Sequence, residues 1–253
     1  MKNFTTELGL FLNTDCFDVL SDIEDNSVDM ILADLPYGTT QNKWDTVLPL
    51  DELWAHYNRI GKINCPIVLT SCQPFTTTLI QSNIKWFKYQ WYWVKNKASG
   101  HLNAKKQPMR NVEDILVFYK KQPTYNPQMW ESRPANYAKS ARQSDNYGKQ
   151  EVVEYSGGNT SRYPLTTLEV PVINNDSSSI EKRLHPTQKP VALMEYLIKT
   201  YTNEGDMVLD NTAGVCSTGI AAENLGRRWL CIEKEEEFFD KGVERFQKEE
   251  LNE

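Results

Sequence analysis

The 253-residue chain predicts an α/β fold, a mainly parallel sheet with helices on both faces, interrupted by one irregular insert. Three observations carry that expectation. Short apolar runs of strand length alternate with amphipathic runs of helix length, as they do around parallel sheets. Several of the strand-like runs end on a carboxylate, the residue expected at the mouth of a doubly wound sheet. From about Lys120 to Leu184 the periodicity gives way to Pro, Ser, Asn, Gln and Tyr, which marks a functional insert or a disordered segment.

Leu10 to Asp15 reads as a strand, Cys16 to Leu20 as a short helix, and Val28 to Asp34 as a second strand. Leu50 to Ile60 has helix spacing, Pro66 to Thr70 reads as a buried strand, and Pro74 to Ile84 as another helix. Phe87 to Val94 and Val112 to Tyr119 follow as strands. Within the insert, Trp130, Tyr137, Tyr147, Tyr155 and Tyr163 favour partial order over a featureless linker. Order returns with a helix over Pro190 to Tyr201, with proline in its first turn. The strand Met207 to Asp210, a turn containing Gly214, the helix Thr218 to Leu225 and the strand Trp229 to Glu233 come next, before a charged helix over Glu235 to Glu250. The expected organisation is a first half over 1–120, an insert over 121–184 and a second half of the same domain over 185–253.

The composition, 40% hydrophobic and 11% aromatic, supports one buried core with an accessory segment. Five scattered cysteines without a C-x-x-C pair read as reduced thiols, and three histidines outside ligand spacing predict no metal site. No uncharged apolar run reaches the length of a membrane span, and Met1 to Glu7 lacks the apolar core of a signal peptide, so a cytoplasmic location is expected. The net charge of −6 hides a local asymmetry: residues 85–150 hold thirteen Lys or Arg against four Asp or Glu. Phosphate contact depends on local charge, so nucleic acid remains a candidate partner.

At the C-terminal ends of parallel strands, Asp15, Asp34, Asp210 and Glu233 should gather along one crevice. Any one of them alone is equally well a capping residue. Strand, Gly-containing turn, helix and acid-terminated strand from Asp210 to Glu233 is the layout of a nucleoside-binding βαβ unit, in which Glu233 can accept from ribose hydroxyls. Asp210-Asn211-Thr212-Ala213-Gly214-Val215-Cys216-Ser217-Thr218 lacks the glycines that admit a pyrophosphate, so a ribose-bearing cofactor without phosphate fits better. Asp34-Leu35-Pro36-Tyr37-Gly38 places a carboxylate, a constrained backbone and an aromatic ring together after a strand.

Asp34-Leu35-Pro36-Tyr37 resembles the D-P-P-Y motif of the DNA amino-methyltransferases, and Asp210-Asn211-Thr212-Ala213-Gly214 resembles their D-P-F-x-G motif. His185-Pro186-Thr187-Gln188-Lys189-Pro190 matches the family's H-P-T-Q-K-P segment. The catalytic motif precedes the cofactor motif, the order of the beta class, and the resemblance runs from about Leu10 to Phe239. It implies a Rossmann-like S-adenosylmethionine-dependent methyltransferase fold, with a catalytic half before a target-recognition insert and a cofactor-binding half after it. It also implies methyl transfer from S-adenosylmethionine to the N6 amine of adenine in double-stranded DNA, of the restriction–modification kind, by a monomer or homodimer. Leu35 in place of the first proline and Cys216 in place of a second turn glycine depart from the family pattern.

By the same resemblance, Asp34 and the carbonyl of Leu35 or Pro36 would accept the two amino protons of a flipped base, while Tyr37 stacks on its face. Asp15 and Cys16 fall to the cofactor's adenine end and Glu233 to its ribose. Asp210, Thr212 and Gly214 fall to its methionine end, with Ser217 and Thr218 at the start of the following helix. Lys189 would pair the methionine carboxylate, with His185 and Thr187 beside it. The bland alternatives are a solvated Lys189, a packed His185, and Ser217 and Thr218 as helix caps.

Lys95, Lys97, Lys105, Lys106, Arg110, Arg133 and Arg142 are candidate DNA contacts, and Arg133, Arg142, Asn136 and Gln143 could read base edges. Trp91-Tyr92-Trp93 reads as strand core rather than as a base platform. The alternatives are N4-cytosine methylation, whose enzymes more often carry Ser at the position of Asp34, a nucleotide-dependent oxidoreductase, and an inactive DNA-binding relative. Carbon-5 cytosine methylation would need a Pro-Cys nucleophile, and the chain has only the reverse, Cys65-Pro66.

Overall fold

The computed structural model describes residues 2–40, 42, 45–134, 138–140, 153–155, 158–174 and 181–250. It divides into two compact units, Pro127–Leu165 and the remainder of the chain.

In the larger unit the elements run β1 (Lys2–Thr5), β2 (Gly9–Asn13), α1 (Phe17–Leu20), β3 (Met30–Ala33), α2 (Leu50–Ile60), β4 (Ile67–Ser71), α3 (Phe75–Ser82), β5 (Phe87–Ser99) and β6 (Arg110–Phe118). The smaller unit holds β7 (Trp130–Glu131), β8 (Ala138–Ser140), β9 (Val153–Tyr155) and β10 (Ser161–Arg162). There β7 pairs with β10 and β8 with β9, both antiparallel. The larger unit resumes with β11 (Thr167–Glu169), α4 (Val191–Tyr201), β12 (Met207–Asp210), α5 (Ser217–Asn224), β13 (Arg228–Glu233) and α6 (Glu236–Glu250).

Its nine strands lie in the order β1-β2-β13-β12-β3-β4-β6-β5-β11. The five pairings among β2, β13, β12, β3 and β4 and between β5 and β11 are parallel. The pairings β1–β2, β4–β6 and β5–β6 are antiparallel. Both faces are covered, which is why the strands read as continuous apolar runs. Met30 and Leu32 of β3 enter a core shared with α4, α5 and α6, through Leu193, Ile220 and Phe239. Ile31 and Ala33 enter the opposite core, against Leu53, Trp54 and Tyr57 of α2 and Phe75 and Leu79 of α3. The period-two alternation of a strand produces this division.

Two strands of the nine-stranded sheet, β1 and β11, had no periodic signal, nor did β7 to β10 of the smaller unit. In β1 only Phe4 finds a ring, that of Phe246 at 5.3 Å. In β11 one buried residue, Leu168, lies opposite Trp93 of β5. Three residues are too few to show a period, so the segment 121–184 read as an irregular, partly ordered insert although its end rejoins the main sheet. Trp91 and Trp93 are core, as expected, their indole N–H groups donating to Tyr201 Oη and the Val170 carbonyl, each at 2.7 Å, whereas Tyr92 between them points to the other face and is exposed. Gly9 lets the sheet close over Trp229, because a Cβ there would stand 2.1 Å from the indole ring. No helix among the described residues is long and apolar enough to cross a membrane.

From the adjacent parallel pair β3 and β12 the chain leads outward on both sides, to β4 and to β13. That reversal is the topological switch point of a doubly wound sheet, and it opens a crevice at the carboxyl ends of these strands.

Candidate active site

The crevice is a cavity of about 440 Å³, lined by Asp34 after β3, Asp210 ending β12, Glu233 ending β13 and Asp15 just beyond β2. Parallel strands ending at one level account for four acids, distant in sequence, sharing one wall. Every catalytic and cofactor residue nominated from the sequence lines this cavity, including Cys16, Leu35, Pro36, Tyr37, His185, Thr187, Lys189, Thr212, Gly214, Ser217 and Thr218.

Asp34 is held from three sides. Its Oδ1 accepts from Tyr37 Oη at 2.6 Å and from the Thr70 hydroxyl at the end of β4. Its Oδ2 accepts from Lys189 Nζ at 2.5 Å. The Asp34 backbone carbonyl accepts from Thr212 Oγ1 at 3.2 Å, tying the β3 end to the β12 turn. Tyr37 stacks on Phe75 at 5.4 Å between ring centroids, with 23° between planes. Burial and the neighbouring Asp34 and Glu113 carboxylates push the Tyr37 phenol well above its usual range, so it remains a donor.

The other end of the cavity is built to hold cationic and hydroxyl groups. Glu233 Oε2 accepts from the Gly214 N–H and Oε1 from the Glu235 N–H, both at 2.7 Å. Asp210 Oδ1 accepts from the Thr212 N–H at 3.0 Å. A Cβ on Gly214, whose φ is +56°, would project into open space, leaving backbone exposed to a bound molecule. Two lysines on the wall are already paired, Lys189 with Asp34 and Lys234 with Asp15 at 2.9 Å. A wall of four carboxylates with its cations engaged repels a pyrophosphate and suits a sulfonium and an ammonium. These residues therefore fit S-adenosylmethionine, whose ribose hydroxyls Glu233 could accept and whose methionine end Asp210 and the 212–214 turn could hold.

Burial raises the Asp210 carboxyl to about 7, against hydrogen bonds from Thr218 and Thr212 that lower it. Burial likewise raises Glu233 to about 7, against the Glu235 and Gly214 N–H groups. A bound cation and ribose hydroxyls favour the charged forms, so cofactor binding should expel protons. Cofactor Kd is expected to rise about tenfold per coupled carboxylate from pH 8 to pH 6, measurable by calorimetry in buffers of different ionisation enthalpy. A pH-independent Kd would contradict the coupling. In the free protein the sign reverses: between the usual Glu value of 4.5 and about 7 the folded chain keeps a proton that the unfolded chain has released. Folding stability contributed by this group therefore falls as pH rises through that window.

Both departures from the motif pattern have a structural reading. Leu35 is 2% exposed and joins the core on the α2 and α3 face, so an apolar side chain occupies the first-proline position. Cys216 has φ +62°, a left-handed conformation that explains why glycine is usual there. Its side chain is fully buried, with Sγ beside Gly219, and leaves the cavity unobstructed.

Lys189 is not the solvated cation of the bland alternative. It is 5% exposed, and its ammonium sits on Asp34, with Glu113 Oε2 at 3.6 Å, at the catalytic end of the cavity. A buried cation takes the nearest carboxylate, which is Asp34. Burial alone would lower its pKa, but Asp34 and Glu113 outweigh burial and hold it raised. His185 is packed edge-on to Phe238 at 4.0 Å between ring centroids, and burial lowers its pKa to about 4; its Nδ1 accepts from the Thr187 N–H at 3.2 Å.

Of the candidate DNA contacts, Lys97, Lys105, Lys106 and Arg110 are exposed on the β5–β6 hairpin, and Arg133 is exposed in the smaller unit. Lys95 is instead drawn inward onto Glu113, with its side chain 15% exposed. Arg142, Asn136 and Gln143, with Tyr137 and Tyr147, lie outside the described residues. Sequence reading missed Asp45, whose carboxylate accepts from the N–H groups of Gly38, Thr39 and Thr40 at 2.8, 2.9 and 2.7 Å. This fixes the loop that follows Tyr37. It also missed Thr70 and Glu113. An acidic pair at Glu113-Asp114 inside an otherwise apolar strand was the available signal.

The family described as DNA methylase, of N6/N4 methyltransferases, matches residues 28–244. The DNA adenine methyltransferase YhdJ of Escherichia coli K12 is 29% identical over 96% of this chain and 84% of its own length. The type II methyltransferase M2.MboI of Moraxella bovis is 24% identical over 97% of this chain and 88% of its own. The solved M1.HpyAVI–SAM complex superposes with a TM-score of 0.62 and 25% identity, covering 93% of this chain and 98% of that one. The PvuII cytosine-N4-specific DNA methyltransferase shares the fold, with a TM-score of 0.70 at 16% identity over 96% and 87% of the two chains. A match over most of its length, in register with a crevice of this construction, means that the chain belongs to the DNA methylase family of S-adenosylmethionine-dependent amino-methyltransferases.

Proposed function

We propose that this protein methylates the N6 amine of adenine at a specific sequence in double-stranded DNA. The single observation that carries the proposal is Asp34: a carboxylate at the switch point, oriented by Tyr37, Thr70 and Lys189, opposite the acidic cofactor end of one cavity. An adenine amine is a weak nucleophile because its lone pair is delocalised into the ring. Accepting its two N–H groups at Asp34 and at the carbonyl of Leu35 or Pro36 favours a pyramidal nitrogen with its lone pair aimed along the cavity. S-adenosylmethionine, when bound, supplies an electrophilic methyl whose bond to sulfur breaks with both electrons staying on sulfur. The amine forms the new N–C bond and sheds one proton, which the Asp34 carboxylate can accept before it passes to solvent. Positioning of the two reactants supplies much of the rate.

The base must leave the duplex to reach this crevice, at a cost of a few kcal/mol in unstacking, offset by the ring of Tyr37. Lys97, Lys105, Lys106 and Arg110 on the exposed hairpin would hold the phosphate backbone. The segment 121–184, with Arg133 and Arg142, would read the sequence. Adenine is favoured over cytosine by Asp34 itself and by the likeness to an adenine methyltransferase along almost the whole chain.

The test is to incubate the protein with methyl-labelled S-adenosylmethionine and unmethylated bacterial DNA, then digest to nucleosides. Label in N6-methyladenine supports the reading. Label in N4-methylcytosine would correct the base, and label in 5-methylcytosine would overturn the chemistry.

A further inference from the structure

The Asp34 carboxylate already accepts three hydrogen bonds in this structure, from two hydroxyls on Oδ1 and from one ammonium on Oδ2. Oδ1 already holds two donors, so an incoming amine is directed to Oδ2, where it shares the oxygen with the ammonium or displaces it. The ammonium is the one with somewhere to go. Lys189 is 5% exposed and cannot retreat to water, so it needs a second anionic acceptor inside the protein. Glu113 provides one. Its Oε2 is buried, has no hydrogen-bond partner among the described residues, and lies 3.6 Å from Lys189 Nζ. Its Oε1 is held by Lys95, which fixes the carboxylate with the free oxygen facing Lys189.

We propose that Glu113 is a positioning residue for the methyl transfer: its free carboxylate oxygen receives the Lys189 ammonium when the substrate amine takes Oδ2 of Asp34. The inference rests on the function proposed above. Lys95, Glu113, Lys189 and Asp34 form a row of alternating charge with no net charge, so shifting the Lys189 ammonium by about an ångström keeps it beside a carboxylate throughout while Asp34 takes the substrate amine. An unsatisfied buried carboxylate oxygen costs stability and calls for an explanation; a seat for the ammonium during turnover supplies one. The row begins on β5, two residues before Lys97 of the exposed basic hairpin.

The test compares single-turnover methyl transfer by the wild type, Glu113→Gln and Glu113→Asp, with cofactor Kd and DNA Kd measured on the same preparations. Glu113→Gln is expected to slow transfer on the order of tenfold, the scale of coupling between contacting residues, with both Kd values unchanged. Glu113→Asp keeps the charge but sets it back by one methylene, and is expected to fall between the two. If Glu113→Gln does not fold, Glu113→Asp alone carries the test, and full wild-type rate in that variant overturns the proposal. Full rate in Glu113→Gln, or a loss confined to the Kd values, does the same. A wild type that labels no DNA overturns the functional reading and this inference with it; a labelling wild type with unaffected variants overturns the inference alone.

Discussion

Replacing Asp34 by Asn is expected to lower single-turnover methyl transfer on the order of 10²–10⁴-fold while cofactor binding persists. The amide keeps the size of the side chain and the acceptor for Tyr37, but it loses the second acceptor oxygen and the charge that draws an amine N–H. Lys189, 5% exposed, would keep the Thr187 carbonyl at 3.4 Å and, as its one carboxylate among the described residues, Glu113 at 3.6 Å. Loss of its main partner should also cost up to about 3 kcal/mol of stability, read as a lower denaturation midpoint. Rates are therefore to be compared with saturating cofactor at a temperature where both proteins are folded. A variant retaining a tenth or more of the wild-type rate would remove Asp34 from the chemistry.

Glu233→Ala carries the second large effect, and it falls on cofactor binding. Glu233 is 9% exposed and orders the Gly214 and Glu235 N–H groups at 2.7 Å each. Its loss frees the 212–214 turn and, on the reading proposed above, deletes the acceptor for two ribose hydroxyls. Hydrogen bonds to a charged group are worth about 1.5–3 kcal/mol each, so cofactor affinity should fall by at least about a hundredfold. Calorimetry or equilibrium dialysis measures it, and Glu233→Gln, which keeps one carbonyl acceptor, should lose less. An affinity unchanged in Glu233→Ala would mean that the ribose lies elsewhere.

The parallel core was legible because both faces are covered: β2, β3, β12 and β13 announce themselves as apolar runs ending near an acid, and β4 as an apolar run alone. The crevice followed from the same logic, since parallel strands ending together bring Asp15, Asp34, Asp210 and Glu233 to one wall whatever their distance in sequence. Short edge strands were not legible. β1 and β11 place few residues in the core, and periodicity is a statement about buried faces.

Charge pairing was harder still. Lys189 could be assigned to the cavity by its motif, but which carboxylate it meets depends on side-chain placement around Asp34 and Glu113, across three separate elements. Lys95 shows the same limit. A lysine on a basic strand looks like a phosphate contact until the facing strand supplies Glu113. Asp45 escaped notice because its role is to bind the backbone of residues 38–40, a pattern with no side-chain signature.

The most direct test of the account is where the new bond forms. Duplex DNA carrying ¹⁵N at the adenine N6 position would be reacted with ¹³C-methyl S-adenosylmethionine and observed by NMR. The account predicts a one-bond carbon–nitrogen coupling at N6 that is absent with Asp34→Asn. A methyl carbon that enters the DNA without that coupling, or a wild type that binds the cofactor yet transfers nothing to any unmethylated duplex containing its site, would contradict it.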